Sequence, residues 1–260
     1  CNIREPLINT RNLADLIPLN SVWSGSPLAP CPFYPPDAPP LTQVASGSSP
    51  FRLNLHVDDV GHTLIFGPTG SGKSTLLALI AAQFRRYKGA QVFAFDKGNS
   101  ILPLTLAVDG NHYEIGGEAG EGARLAFCPL SDLSTDTDRA WASEWIETLV
   151  SLQGVTVTPD HRNAISRQIG LMAGAPGRSL SDFVSGVQMR EIKDALHHYT
   201  VDGPMGQLLD AERDSLTLGL FQCFEIEQLM NMGERNLVPV LTYLFRRIEK
   251  RLTGAPGLII

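Results

Sequence analysis

Gly67-Pro68-Thr69-Gly70-Ser71-Gly72-Lys73-Ser74 fills every fixed position of the pattern GxxxxGK[ST], and Thr75 extends it. Immediately upstream, His62-Thr63-Leu64-Ile65-Phe66 is a short apolar run that reads as a buried strand ending at Gly67. Downstream, Leu76, Leu77, Leu79, Ile80 and Phe84 recur at helical spacing, which predicts a helix from Lys73 to about Tyr87 with Gly89 as its stop. Gln91-Val92-Phe93-Ala94-Phe95 then reads as a second buried strand. Strand, helix and strand in about 35 residues make a βαβ unit, with parallel strands and a right-handed crossover. At average residue frequencies the octet arises by chance in on the order of one chain in a hundred of this length.

The residue types explain the chemistry expected there. Gly67, Gly70 and Gly72 let the backbone turn tightly and bring its N–H groups to a phosphate with no Cβ in the way. Lys73 supplies an ammonium between the β- and γ-phosphates, Ser74 a hydroxyl for Mg²⁺, and the positive end of the following helix favours the same anion. The expected nucleotide-binding set is therefore Gly67, Pro68, Thr69, Gly70, Ser71, Gly72, Lys73, Ser74 and Thr75. Lys73 is the catalytic candidate, Ser74 the metal ligand, and ATP and Mg the cofactors. A glycine-rich turn with a solvated lysine, the bland alternative, leaves the spacing unexplained.

Hydrolysis asks for more than this loop: a carboxylate on the metal, a group that orients water and often an arginine from a neighbour. The carboxylate is expected after a later apolar strand, and Gly257-Leu258-Ile259-Ile260 has that character without an acid. The expectation is thus an excerpt of a longer protein, cut before those acids and deficient in hydrolysis by itself. Asp96 follows the second strand directly, at the carboxyl edge where ligands of α/β folds gather, so it is a phosphate-proximal candidate set against a turn-forming Asp. Glu225 and Glu227 read as ordinary helix-start acids. His161, His197 and His198 read as solvated, and the clusters Arg85, Arg86, Lys88 and Arg246, Arg247, Lys250, Arg251 as wet helix faces.

The 260 residues are 43% hydrophobic and 18% charged, which excludes global disorder or coiled coil. A formal charge of −6 offers no general positive field to DNA or anionic lipid. Cys1, Cys31, Cys128 and Cys223 stand far apart and read as free thiols, and no apolar run approaches the roughly 18 residues needed to cross a bilayer. Ten of the 18 prolines lie in residues 1–50, so this stretch reads as an extended linker, with Trp23, Phe33, Tyr34 and Phe51 as its anchors. Residues 51–260 read as an α/β domain with a helical insert over about 135–215. Within the insert Trp141, Trp145, Ile146, Leu149 and Val150 form a core stripe, capped by Asp138 and stopped at Gly154. Further helices are predicted around 160–173, 179–186 and 188–198, and a strand over 218–224. A last amphipathic helix runs through Val240 to Leu252, with Pro239 in its first turn.

The phosphate loop, Asp96-Lys97-Gly98-Asn99-Ser100, the stretch Asp202 to Asp210 and Phe224-Glu225-Ile226-Glu227-Gln228-Leu229 together resemble the TrbE/CagE family of type IV secretion ATPases of bacterial conjugation. Asn9 to Leu16 and the run from Phe33 to Leu41 resemble its TrbE branch in particular. The resemblance implies a RecA-like P-loop NTPase fold, a mostly parallel sheet flanked by helices. It also implies a cytoplasmic motor, hexameric as a whole protein and docked peripherally on the inner-membrane components of a secretion channel, that powers pilus assembly or DNA and protein transfer. The family's Walker B acids, glutamine motif and arginine motif would fall beyond Ile260. Two readings compete with it: a P-loop kinase or small-molecule transferase, and a docking module that uses ATP only as a conformational effector. Tight nonspecific DNA binding by this chain is not expected, given its charge.

Overall fold

In the computed structural model residues 9–16, 23–46, 49–117 and 125–260 are described. Cys1 and portions of the expected 1–50 linker lie outside them. Two compact units divide between Pro68 and Thr69.

In the first unit helix α1 (Thr10–Leu16) starts at Asn9, whose side chain accepts from Asn12 N at 3.0 Å. Strands β1 (Thr42–Ser46) and β2 (Ser49–Leu53) form an antiparallel hairpin that runs across residue 50, the expected end of the linker. The proline-rich segment is stitched back onto itself and onto the hairpin: Ala29 N donates to Ala38 O, Arg52 N to Ser24 O and Leu41 N to Leu53 O. At Gly25 (φ +77°) a Cβ would fall 2.1 Å from Arg52 O, so the approach requires glycine. The anchors differ from the expected aromatics. Cys31, Ala38 and Leu41 are buried, whereas Trp23 and Phe33 are 70% and 77% exposed, because the prolines fold this stretch into turns that leave room only for small side chains. The predicted strand His62–Phe66 does not form. Residues 61–68 carry no strand pairing among the described residues, and Leu64 and Phe66 are exposed. Apolar composition marks a segment that suits a sheet, but a strand exists only through its neighbour's hydrogen bonds.

The second unit begins with helix α2 (Lys73–Phe84), which leads through Gly89 (φ +72°) into strand β3 (Gln91–Asp96). Helix α3 (Leu102–Ala107) connects β3 to β4 (Asn111–Glu114). Helices α4 (Asp136–Leu152), α5 (Pro159–Met172), α6 (Leu180–Gly186), α7 (Arg190–Leu196) and α8 (Gly206–Leu209) then intervene before β5 (Phe221–Glu225). Helices α9 (Glu227–Asn231) and α10 (Glu234–Arg251) precede β6 (Gly257–Ile259). The sheet order is β4-β5-β3-β6 and every pairing is parallel. β5 is buried at all five residues; β6, expected as a buried strand, lies at an edge with Ile259 47% exposed. Tyr113, Phe224, Phe95 and Phe245 stack in sequence across one face of the sheet, with ring centroids 5.7, 5.3 and 5.0 Å apart.

The insert packs as a core of its own against that face, around Trp145, Phe183, Tyr199 and Leu149, all nearly inaccessible. Trp141 and Trp145 are thus core residues, stacked 6.0 Å apart. The cap of α4 is Thr135, three residues before the expected Asp138. Thr135 Oγ1 accepts from Asp138 N at 3.1 Å and the Asp138 side chain returns to Thr135, a capping box. His161 is not solvated but sits at the same position of the α5 box, 3% exposed, with Nε2 2.9 Å from Glu191 Oε2. His198 is likewise engaged, 2.7 Å from Asn236 Oδ1, while His197 is exposed.

Pro239 lies inside α10 rather than in its first turn, because the helix starts at Glu234. Its missing N–H leaves the Arg235 carbonyl without its helical donor. Tyr199 Oη donates to that carbonyl at 2.9 Å, and Trp145 Nε1 donates to Pro239 O at 3.1 Å, so the insert repairs the defect. The basic end of α10 is also no wet face. Arg246 and Lys250 meet Asp138 Oδ1 at 2.8 and 2.5 Å, Arg246 lies over the Trp141 ring, and Arg247 pairs with Asp214. The Lys250 hydrogen bond, aided by Thr135 and Arg246 and opposed by burial, holds the Asp138 carboxyl far below the usual carboxylate range.

Tyr199→Phe keeps the ring but orphans the Arg235 carbonyl, and should destabilise the chain by about 1–3 kcal/mol in urea unfolding. An unchanged midpoint would show that the repair is not needed. Because the folded Asp138 pKa lies below its unfolded value, its stabilisation is present in full above about pH 4 and is lost as pH falls towards the folded value. Urea midpoints measured from pH 5 to pH 2 should therefore fall less steeply in Asp138→Asn than in the parent chain. Equal slopes would refute the linkage.

Candidate functional site

The unit boundary falls inside the octet. Gly67 and Pro68 end the first unit in neither helix nor strand, and Thr69 to Thr75 open the second. Thr69 and Gly70 form a turn, Ser71 and Gly72 a bend, and Lys73, Ser74 and Thr75 are the first turn of α2. Gly70 and Gly72 hold φ of +81° and +87°, the left-handed region that a side chain opposes, whereas Gly67 does not. A Cβ built on either would meet nothing within 4 Å, so the space beside the loop is open. No side chain caps α2, and its first turn carries no acid. An uncapped helix start reached through two left-handed glycines is a concentration of backbone N–H dipoles suited to an anion. Lys73 is half-buried, and Ser71, Ser74 and Thr75 are exposed. The open space and the donor set fit a polyphosphate.

The loop 85–90 turns the chain from α2 into β3, so the two elements run in opposite directions. This brings the start of α2 to the carboxyl end of the parallel sheet, where β3 and β5 also end. Asp96, 5% exposed, closes β3. Its Oδ1 accepts from Lys97 N at 2.9 Å and from Ser100 Oγ at 2.6 Å, and its Oδ2 from Ile101 N at 2.7 Å. Those bonds commit the carboxylate to the loop that follows it. Glu225 is no helix-start acid: it is the last residue of β5, in register with Asp96 and 3% exposed. Its Oε1 accepts from Gly98 N at 3.2 Å and Glu227 N at 2.9 Å, and its Oε2 from Asn99 N at 2.7 Å. Glu227 itself opens α9, as the sequence suggests.

Sequence reasoning missed Glu225 as a member of this edge. Its only signal was a position one residue past the apolar run ending at Phe224. Among the described residues no group of three His, Cys, Asp or Glu is placed to hold a metal, and no helix is long and apolar enough to cross a membrane. Cys31, Cys128 and Cys223 are free and buried; burial pushes the Cys223 thiol up to about 12 and the Cys128 thiol up to about 11. Arg85, Arg86 and Lys88 are exposed.

The family model described as the central domain of the helicase HerA matches residues 42–99, from β1 through the phosphate loop to the loop after β3. Over its whole length the chain is 84% identical to the conjugal transfer protein TrbE of Rhizobium radiobacter, covering 32% of that protein. It is 83% identical over its whole length to a probable conjugal transfer protein TrbE of Sinorhizobium fredii, covering 39% of it. The chain thus spans about a third of the length of these relatives. The solved structure of VirB4 from Thermoanaerobacter pseudethanolicus superposes with a TM-score of 0.51 at 14% identity, over 70% of this chain and 55% of that one. That likeness is one of fold, an α/β P-loop NTPase architecture with a parallel sheet flanked by helices.

Gly72→Ala isolates the backbone requirement, since the added methyl group meets no neighbour. The left-handed φ should cost about 1–2 kcal/mol in denaturant unfolding and weaken Mg-ATP binding by about tenfold or more as the loop relaxes. Unchanged affinity would show that the left-handed turn is not what presents the amides.

Proposed function

We propose, on the premise that the chain belongs with the TrbE group of type IV secretion proteins, that it forms the ATP-binding portion of a conjugal-transfer motor. The observation that carries this reading is the uncapped start of α2 behind left-handed Gly70 and Gly72 within a complete GxxxxGK[ST] octet. The amides of Thr69 to Thr75 would cradle the phosphates, Lys73 would neutralise them and Ser74 would hold Mg²⁺. Bound Mg-ATP supplies the phosphoanhydride whose cleavage drives such a motor. The protein's share is to bind, orient and screen charge.

Turnover by this chain alone is expected to be slow. Asp96 and Glu225 are the buried acids at the nucleotide edge, and hydrogen bonds to backbone N–H groups occupy both. Neither has the freedom to hold a metal or polarise water while the loop stays in place. Asp96 would then stand close to the phosphates as a support of the loop. The whole protein would work as a hexamer on the cytoplasmic side of the inner membrane, bound to other secretion components and powering pilus assembly or transfer of DNA or protein. The absence of a membrane-crossing helix among the described residues fits peripheral attachment. The charge of −6 argues against tight DNA binding by this portion itself. The kinase alternative lacks support, because α4 to α8 pack around a continuous buried core rather than as a hinged substrate lid.

Calorimetric titration of Mg-ATP into the chain should show one site, lost in Lys73→Ala without change in the far-UV spectrum. Phosphate release should stay near background in both. Equal affinity in Lys73→Ala would overturn the assignment, and turnover on the order of 1 s⁻¹ by this chain would refute the idea that both acids are committed.

A further inference from the structure

The loop Lys97–Ile101 is held in an unusual way. Lys97 N and Ile101 N donate to Asp96, and Gly98 N and Asn99 N donate to Glu225 on the neighbouring strand. Gly98 and Asn99 adopt φ of +84° and +57°, and the second is a conformation that non-glycine residues rarely take. Two buried carboxylates therefore turn these amides inward against local backbone preference. The outward side is left to Lys97, Gly98, Asn99 and Ser100, all exposed.

The arrangement also has an electrostatic consequence. Asp96 and Glu225 are in register on adjacent strands, whose spacing is about 4.8 Å, and among the described residues neither makes a salt bridge. Backbone dipoles satisfy their lone pairs but leave two negative charges at the edge where α2 begins. A polyphosphate would be repelled there unless a cation intervened, and Lys97 is the cation that the loop carries outward.

We propose that Lys97 is a second cation for the polyphosphate and that Glu225 is the positioning residue that keeps it at the nucleotide edge. This rests on the phosphate-loop reading given above. Lys73 comes from the helix start and Lys97 from the loop after β3, so the nucleotide would lie between two independently fixed positive charges. Glu225 acts through the loop and touches no ligand. Glu225→Gln exchanges one acceptor oxygen for an NH₂ that faces a backbone N–H, so it should release the loop while leaving the side-chain volume nearly unchanged.

The test titrates Mg-ATP and AMP into the 260-residue chain and into Lys97→Ala, Lys97→Arg, Glu225→Gln and Lys73→Ala, with hydrogen exchange read at Gly98 and Asn99. Lys97→Ala should weaken Mg-ATP about tenfold, the size of one charge-assisted contact, with a smaller effect on AMP. Lys97→Arg should restore most of the affinity. Glu225→Gln should speed exchange at Gly98 and Asn99 and weaken Mg-ATP to a similar extent. Wild-type affinity in Lys97→Ala overturns the proposal, and so does a Glu225→Gln variant whose loop opens without loss of affinity. Should Glu225→Gln fail to fold, the two Lys97 variants decide alone. Failure of the parent chain to bind Mg-ATP would overturn the phosphate-loop reading and this one with it, a pattern distinct from binding that only Lys73→Ala abolishes.

Discussion

β5 has a strand on each side, β3 on one and β4 on the other, so the whole second unit depends on bringing Phe221–Glu225 back into a slot opened more than a hundred residues earlier in the chain. Parallel pairing forbids a hairpin, and the crossover must end with β5 in register to within one residue. A slip of one place would turn Phe224 out of the aromatic stack and move Glu225 away from the amides of Gly98 and Asn99. The long crossover is thus no ornament on the sheet. Its own packing fixes where β5 falls.

The insert fixes that position through polar contacts at least as much as through apolar area. Trp145, Tyr199 and Asp138 each belong to the insert, and each reaches a different point of α10: the Pro239 carbonyl, the Arg235 carbonyl, and the pair Arg246 and Lys250. α10 in turn supplies Phe245 to the aromatic row over β3 and β5. Apolar packing alone would let α10 slide by a turn at modest cost, since leucines at helical spacing are interchangeable. Directional bonds to two specific carbonyls and one buried carboxylate remove that freedom.

Much of this was legible in the sequence. The phosphate loop, the helix after it, the strand over 91–96, the helices of the insert and the core role of Trp141 and Trp145 follow from spacing and from glycine and proline chemistry. The failures have a common cause. His62–Phe66 has the composition of a strand but no described pairing partner, and composition does not report partners. Arg246, Lys250 and His161 look like solvated charges because their acidic partners stand 108, 112 and 30 residues away along the chain. Pro239 looks like a helix start because the hydroxyl that lets a helix pass through it comes from Tyr199. In each case a long-range contact overrode a sound local rule.

Glu225 shows the same limit at the functional edge. Its identity as an acid after an apolar run is common to many strand ends, and its significance arises only from the register with Asp96. That register is set by the insert, so the loop bearing Lys97 inherits its position from residues that lie on the far side of the core. A perturbation of the insert need not unfold the site to alter it, because a small displacement of β5 is enough to lengthen the bonds from Gly98 and Asn99. Coupling of this kind requires no moving lid and no dedicated pathway. It needs only a central strand shared by the insert that places it and the edge that uses its last residue, and β5 is that strand.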